Sequence, residues 1–368
     1  MLTKFLILLW CKFMKILGKF NAWLLQAAED QDQKRFAALL HFKGVDINTQ
    51  NHLGETSLHI AAKHKNKHMV EGLLHYHDII NINATDNNNS TPLHIIAADR
   101  NDTEIFHLIC KNPRREIEIQ DNQGRAPLHI ASESGNVQFA RLLIEQGANI
   151  NLPDNDRNAP LHIALKNDKE EIANLLLEQP DINVNLKGND LDTGLHIAVR
   201  KSCAAINWLL QKGADVNLCN KDGDTPVHIA AKAGYIEVIK QLTKENADLT
   251  LSNEAGNRAF DVALKGNKLA IAKFLLDKLG NNASLEDLDN YAQLQSEAIK
   301  PAGCVKISES SLNKGSTKYP KLVKFKSTTE LIQNKTITPK LFPELRDSTD
   351  EFSCATLQGI GAQGDFWD

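Results

Sequence analysis

At 368 residues the chain exceeds the size that one compact core usually organises, and its formal net charge of -4 offers no global attraction to nucleic acid. Six cysteines (Cys11, Cys110, Cys203, Cys219, Cys304, Cys354) stand far apart with no C-x-x-C pair, which argues against a disulfide framework and a cysteine zinc site and favours a reducing, cytoplasmic compartment. No apolar run approaches the ~18 residues that a membrane-crossing helix needs.

The first segment, residues 1–20, differs in composition from everything after it. On a helical wheel Lys4, Lys12, Lys15 and Lys19 share an arc of about 80°, with mostly apolar residues around the rest. This predicts a basic amphipathic helix. It could pack on the first helix pair as a cap. It could instead make peripheral membrane contact, inserting Phe5, Leu6, Leu9, Trp10, Phe13, Leu17 and Phe20 while the lysines meet anionic lipid. Two further alternatives are a start at Met14 and a secretory signal. Lys12 and the lack of a small-residue cleavage site weigh against the signal.

From residue 21 the chain repeats itself. Thr56-Ser57-Leu58-His59 returns as Thr91-Pro92-Leu93-His94, Ala126-Pro127-Leu128-His129, Ala159-Pro160-Leu161-His162, Thr193-Gly194-Leu195-His196 and Thr225-Pro226-Val227-His228. The histidines step by 35, 35, 33, 34 and 32 residues; Leu25 lies 34 before the first and Asp261 lies 33 after the last, so eight registers are visible. Proline suits the opening of a helix, where its missing N–H is one of the unpaired donors anyway. Gly54, Gly124, Gly223 and Gly256 sit two residues before the Thr/Ala position, where a tight turn disfavours a Cβ. Small residues such as Ala61, Ala97, Ala131, Ala164, Ala198, Ala230 and Ala263 let successive units approach closely. Stripes such as Met69-Val70 with Leu73-Leu74, or Val238-Ile239 with Leu242, read as the core face of a second helix.

A period near 33 carrying T-P-L-H-x-A resembles the ankyrin repeat family over roughly residues 21–281. The resemblance implies an all-α solenoid of about eight helix-turn-helix units with β-turn fingers, in which each imidazole bridges adjacent turn backbones. Some positions depart from the pattern. Asn89, Arg157 and Leu191 replace the turn glycine, Gly188 the turn Asp and Gly194 the proline, so irregular fingertips are expected in repeats 3, 5 and 6. Leu24-Leu25 and Phe260-Asp261 make the end units atypical, as end units commonly are.

After Gly280, Ser284-Leu285-Glu286-Asp287 reads as a capping box that opens a C-terminal capping helix within 282–300. Residues 301–368 are expected to form a mostly irregular, flexible or conditionally ordered tail. Its basic first part carries Tyr319–Phe325 and its acidic last part Lys340–Leu345 as apolar islands, either contact motifs or segments that fold back.

Chemistry finds little footing. Six of the thirteen histidines belong to the ladder. His64, His68, His75 and His77 cluster in sequence, yet no neighbouring carboxylate or cysteine completes a ligand set. The tail holds Cys304 and Cys354 but no histidine, so a thiol catalyst confined to it lacks its base. No phosphate-binding loop, nucleophile elbow or zinc-protease motif occurs. No cofactor, metal or enzymatic activity is therefore expected.

The family's mode of action implies binding of a protein partner through the fingertips and the concave face of the first helices. Four residues beyond each ladder position come Lys63, Ala98, Glu133, Lys166, Arg200, Lys232 and Lys265, predicting a basic stripe beside acidic fingertips. The candidate contacts are Arg125, Asp156, Lys166, Asp192, Arg200, Asp224, Lys232 and Lys265. The alternative is that these acids and bases satisfy one another on a solvated face. A monomeric adaptor is expected. It is also similar to the ankyrin proteins that intracellular bacteria deliver into host cells, the polar end Gly364-Asp365-Phe366-Trp367-Asp368 being compatible with an export signal.

Overall fold

A computed structural model describes residues 18–99, 103–201 and 204–299. Most of the basic amphipathic segment and the whole 301–368 tail lie outside the described residues, and so do the expectations placed on them. The described elements up to Ala298 belong to one compact unit. Among the described residues there are seventeen α-helices and no strand beyond two isolated bridges, Gln50 with Thr56 and Ser252 with Arg258.

The helices come in eight antiparallel pairs. They are α1 (helical over 18–29) with α2 (Gln33–Leu40), α3 (Ser57–Lys63) with α4 (Lys67–Leu74), α5 (Pro92–Ala97) with α6 (Glu104–Cys110), and α7 (Pro127–Ser134) with α8 (Val137–Glu145). Next come α9 (Pro160–Lys166) with α10 (Glu170–Glu178), α11 (Gly194–Lys201) with α12 (Ala205–Gln211), α13 (Pro226–Ala233) with α14 (Ile236–Lys244), and α15 (Ala259–Lys265) with α16 (Leu269–Leu279). A last helix, α17 (Leu285–Ile299), follows. Contacts run from α3 through α5, α7, α9, α11 and α13 to α15 in one row, and through α2, α4, α6 and α8, α10, α12 in the other.

The row is closely spaced because the same small side chain recurs at its centre. Ala61, Ala97, Ala131, Ala164, Ala198, Ala230 and Ala263 are all fully buried. Opposite them, Leu73, Ile109, Leu143, Leu176, Leu209, Leu242 and Leu275 are fully buried at the equivalent position of each second helix. Each unit thus covers its neighbour's apolar face, and no unit could bury its own alone.

The fingers between pairs are held by a side-chain clamp. In six of them the first turn residue turns its Oδ1 back onto two backbone N–H groups, two and four residues on. Asp86 accepts from Asn88 and Ser90 at 2.8 Å each, and Asp154 from Asp156 and Asn158 at 2.9 and 2.7 Å. Asn51, Asp121, Asn220 and Asn253 do the same. This corrects the expectation for repeats 3 and 5. Asn89 and Arg157 adopt the left-handed conformation of the glycine they replace, with φ of 59° and 66°, and both turns keep their backbone bonds. The clamp imposes the turn, and glycine only makes it cheaper.

Repeat 6 is irregular, as expected, because the clamp itself is missing. Gly188 has no carboxylate, and a Cβ there would lie 2.8 Å from Asn158 Oδ1 and 3.0 Å from the His162 ring. The chain instead forms a 3-10 turn over Asn189–Leu191 in which Asp190 and Leu191 both have positive φ.

Repeat 2 carries a correctable defect. Ser57 occupies the first helical position that proline holds in four other repeats, and its buried hydroxyl has no partner. Ser57→Pro removes that hydroxyl and fixes φ where the backbone N–H is not needed by the helix. It should raise stability by about 1 kcal/mol. Chemical denaturation of the variant reads this directly, and a loss of stability would show that the Ser57 backbone does not match that of its proline counterparts.

Candidate functional site

The finger-lined groove is built on the histidine ladder. In each of the six units the N–H of the residue that caps the first helix donates to histidine Nδ1, at 3.0–3.2 Å for Thr56, Thr91, Ala126, Ala159, Thr193 and Thr225. Where that residue is threonine its hydroxyl also lies 2.8 Å from Nδ1. An accepting Nδ1 leaves the proton on Nε2, which donates to a carbonyl further along: Ser90 for His59, Arg125 for His94, Leu152 for His129, Leu186 for His162, Asp224 for His196 and Asn257 for His228, all at 2.8–3.0 Å. Burial pushes all six imidazoles below the ordinary histidine value, more than the carbonyls and nearby carboxylates raise it. Both ring nitrogens are engaged, so none of these histidines offers a free lone pair to a metal or substrate.

An unfolded chain regains the ordinary histidine value near 6.5 and therefore binds more protons than the folded chain below that pH. Stability linked to the ladder is whole above that value and is lost as pH falls through the lowered folded values, by up to about 1.4 kcal/mol per histidine per pH unit. Thermal midpoints should be level between about pH 8 and 7 and fall steadily below 6.5. A midpoint unchanged down to about pH 5 would contradict the neutral bridge.

Three of the four other clustered histidines have a carboxylate neighbour, one each, which is too few to complete a ligand set. His64 lies 3.4 Å from Glu29, His68 3.6 Å from Glu71 and His77 3.4 Å from Asp78, while His75 edges onto the Tyr76 ring. Among the described residues no three metal-ligating side chains converge.

The groove charges pair by a rule the sequence pattern did not reveal. The residue four before the ladder position, in the finger, faces the residue four after it, at the helix end. Arg200 reaches Asp192 at 2.7 and 3.3 Å, and Lys63 reaches Glu55 at 3.4 Å. In repeat 4 the pair is inverted, Arg125 from the finger meeting Glu133 of α7 at 2.9 Å. Lys265 donates to the neutral Asn257. Lys166 and Lys232 are exposed and make no ion pair among the described residues. The expected basic stripe therefore resolves into partly answered and unanswered charges.

Each candidate contact has a distinct setting. Arg125 also grips the buried Asp121 through Nε and Nη2, at 3.0 and 2.9 Å. Burial alone would raise the Asp121 carboxyl, but the N–H groups of Arg125 and Gln123 and the Arg125 guanidinium outweigh it and hold it low. Asp156 is exposed at its fingertip and shares with Arg125, Glu133 and Lys166 an open groove of about 510 Å³. Asp192 is buried and also accepts from Asn220 at 3.1 Å. Its hydrogen bonds push the Arg200 guanidinium above its usual range. Asp224 is half-buried and accepts from Asn253 at 2.8 Å.

A second inter-repeat ladder lies on the opposite loops. Asn48 accepts from Asn81 N–H, Asn83 from Glu116, Asn151 from Asn183, Asn185 from Asp215 and Asn217 from Asp248, at 2.7–3.0 Å. Its signal was the asparagine that follows Ile47, Ile82, Ile150, Val184 and Val216 in five of the closing loops, while in repeat 3 Glu118 takes its place and accepts the Asn149 N–H at 2.6 Å.

Arg200 is a strut as well as a surface cation. Arg200→Glu would face the buried Asp192 with a second carboxylate and should cost about 2 kcal/mol. Lys232→Glu should leave unfolding within ~0.5 kcal/mol of the parent. Equal unfolding free energies for the two variants would refute the distinction.

The family model described as ankyrin repeats (3 copies) matches residues 24–121, 95–187 and 195–287, more than half of the chain. No curated protein matches the sequence.

Proposed function

Because the chain belongs to the ankyrin-repeat family, whose repeats are generally protein-protein interaction modules and typically non-enzymatic, we propose that it is an adaptor that grips a protein partner in the finger-lined groove. The observation that carries this is the pair of unanswered cations, Lys166 and Lys232, at equivalent helix ends beside the acidic fingertip residues Asp156, Asp222 and Glu254. Charges already paired within the chain have little left to offer a partner. Unpaired ones steer encounter and select against the wrong surface. Arg125, Asp192, Arg200 and Asp224 shape the groove, and Lys265 adds a third cation answered only by an amide. The near-neutral balance of the chain favours a protein over nucleic acid.

The reading includes a monomer working in the cytoplasm, with repeats over 21–281, a capping helix over 282–300 and an auxiliary tail over 301–368. Lys166→Glu combined with Lys232→Glu and Lys265→Glu should abolish capture of partners from the native cell while leaving unfolding nearly unchanged. Full capture by a folded triple variant would remove the groove from consideration. Delivery of the protein into a host cell is the more specific version, supported by composition alone. Deleting the last thirty or so residues should then abolish translocation of a fused reporter, and undiminished delivery would count against it.

A further inference from the structure

We propose that the first repeat carries a docking surface for an anionic lipid bilayer, centred on the rings of Phe20, Trp23 and Phe42. Trp23 and Phe42 are 44% and 49% exposed, unusually high for side chains of this size. They do not stand singly. Phe20 stacks on Phe42 with centroids 4.3 Å apart and meets Trp23 edge-on at 5.2 Å, so the three rings form one surface cluster. The cluster is held in place, because Asn21 of α1 accepts the backbone N–H of Asp46 at 3.0 Å and ties the helix to the loop that carries Phe42.

The charges beside the rings identify the occupant. Lys19 and Lys43 are each one residue from a cluster ring, both are exposed, and neither has an ion pair among the described residues. The acid of the same loop, Asp46, turns its carboxylate back onto the Asn48 N–H at 2.9 Å. The first twenty-eight residues contain Lys4, Lys12, Lys15 and Lys19 and no acid, in a chain whose net charge is -4. Aromatic rings with amines alongside are the composition that settles at the headgroup level of an anionic membrane. A second copy of the chain fits less well. Two-fold association of this patch would gather the four amines of two copies with only Asp46 of the same loop to answer them, and its carboxylate already accepts the Asn48 N–H. This surface lies on the first repeat and is independent of the cations at Lys166 and Lys232.

The test is flotation of the full chain with vesicles of equimolar phosphatidylcholine and phosphatidylglycerol, and with phosphatidylcholine alone. The parent should float with the anionic vesicles and remain behind with the neutral ones. Trp23→Ser combined with Phe42→Ser, both at exposed positions, should keep its helical signal and thermal midpoint yet bind the anionic vesicles about tenfold more weakly. Lys19→Glu with Lys43→Glu should weaken binding similarly. A parent that ignores anionic vesicles overturns the proposal. So does a ring variant that floats as the parent does, which would assign any membrane affinity to residues before the cluster. A parent dimer in sedimentation equilibrium that the ring variant loses, without flotation of either, would assign the rings to self-association.

Discussion

A neutral imidazole with both nitrogens occupied is the joint on which the stack depends. Its Nδ1 takes the N–H at the start of its own helix, and its Nε2 gives its proton to a carbonyl further along the chain. One side chain thereby fixes the entry of a helix and the height of a finger at once. Only the uncharged Nε2–H form can do this, because a proton on Nδ1 would point at another N–H. Burial secures that form by disfavouring the cation, so the same packing that stacks the helices keeps their joints in the working state. Cohesion is consequently a sum of nearest-neighbour terms.

What the sequence made legible was whatever depends on period. The register of the histidines, the fully buried Ala61 to Ala263 series and the Leu73 to Leu275 series all follow from counting in steps near 33. What it hid were contacts whose geometry depends on how the finger folds back over its helix. Asp192 and Arg200 are eight residues apart and look like two surface charges until the finger brings one over the other. The turns follow a related rule. The carboxamide or carboxylate at the start of the finger holds the turn and the glycine only eases it, so Asn89 and Arg157 cause no disturbance and Gly188 does. The recurring asparagines Asn48, Asn83, Asn151, Asn185 and Asn217 were visible as letters but not as a ladder, since only the stacked loops show what each amide reaches.

The charges of the groove follow the same logic. A run of Lys and Arg at equivalent positions suggests a uniform positive stripe, yet each position sits opposite a finger residue that varies from repeat to repeat. Glu55 and Asp192 answer their cations, Asn257 answers with an amide, and Glu133 with Arg125 reverses the polarity altogether. The groove is therefore not periodic in charge although it is periodic in backbone. Specificity can reside in that mismatch, because a partner must match the particular order of answered and unanswered groups and not a simple excess of one sign.

The ends show what happens when the nearest neighbour runs out. In the last pair Asp261 stands where the ladder histidine would be, and its carboxylate accepts the Arg258 N–H at 2.9 Å, as an imidazole Nδ1 would. A carboxylate has no proton to pass onward. The outward bond is made by the Arg258 guanidinium instead, which also holds Asp261 and reaches Asp287 of α17. Asp287 is 2% exposed and the one buried side chain among those described on that helix, while Leu285 and Leu288 face solvent. Its carboxylate also accepts the Ser284 N–H at 2.7 Å, and its own N–H donates to the Ser284 hydroxyl oxygen at 3.1 Å, closing the capping box. The two carboxylates hold the guanidinium above its usual range. Burial would raise the Asp287 carboxyl, but Arg258 and Ser284 outweigh it and keep it low. The buried joints inside the stack are thus neutral groups and apolar area, whereas at the last helix a buried ion pair adds to the packing of Tyr291 on the core. Removing Arg258 would strand a buried carboxylate, so the seating of α17 leans on one charged contact in a way that the apolar contacts between repeats do not.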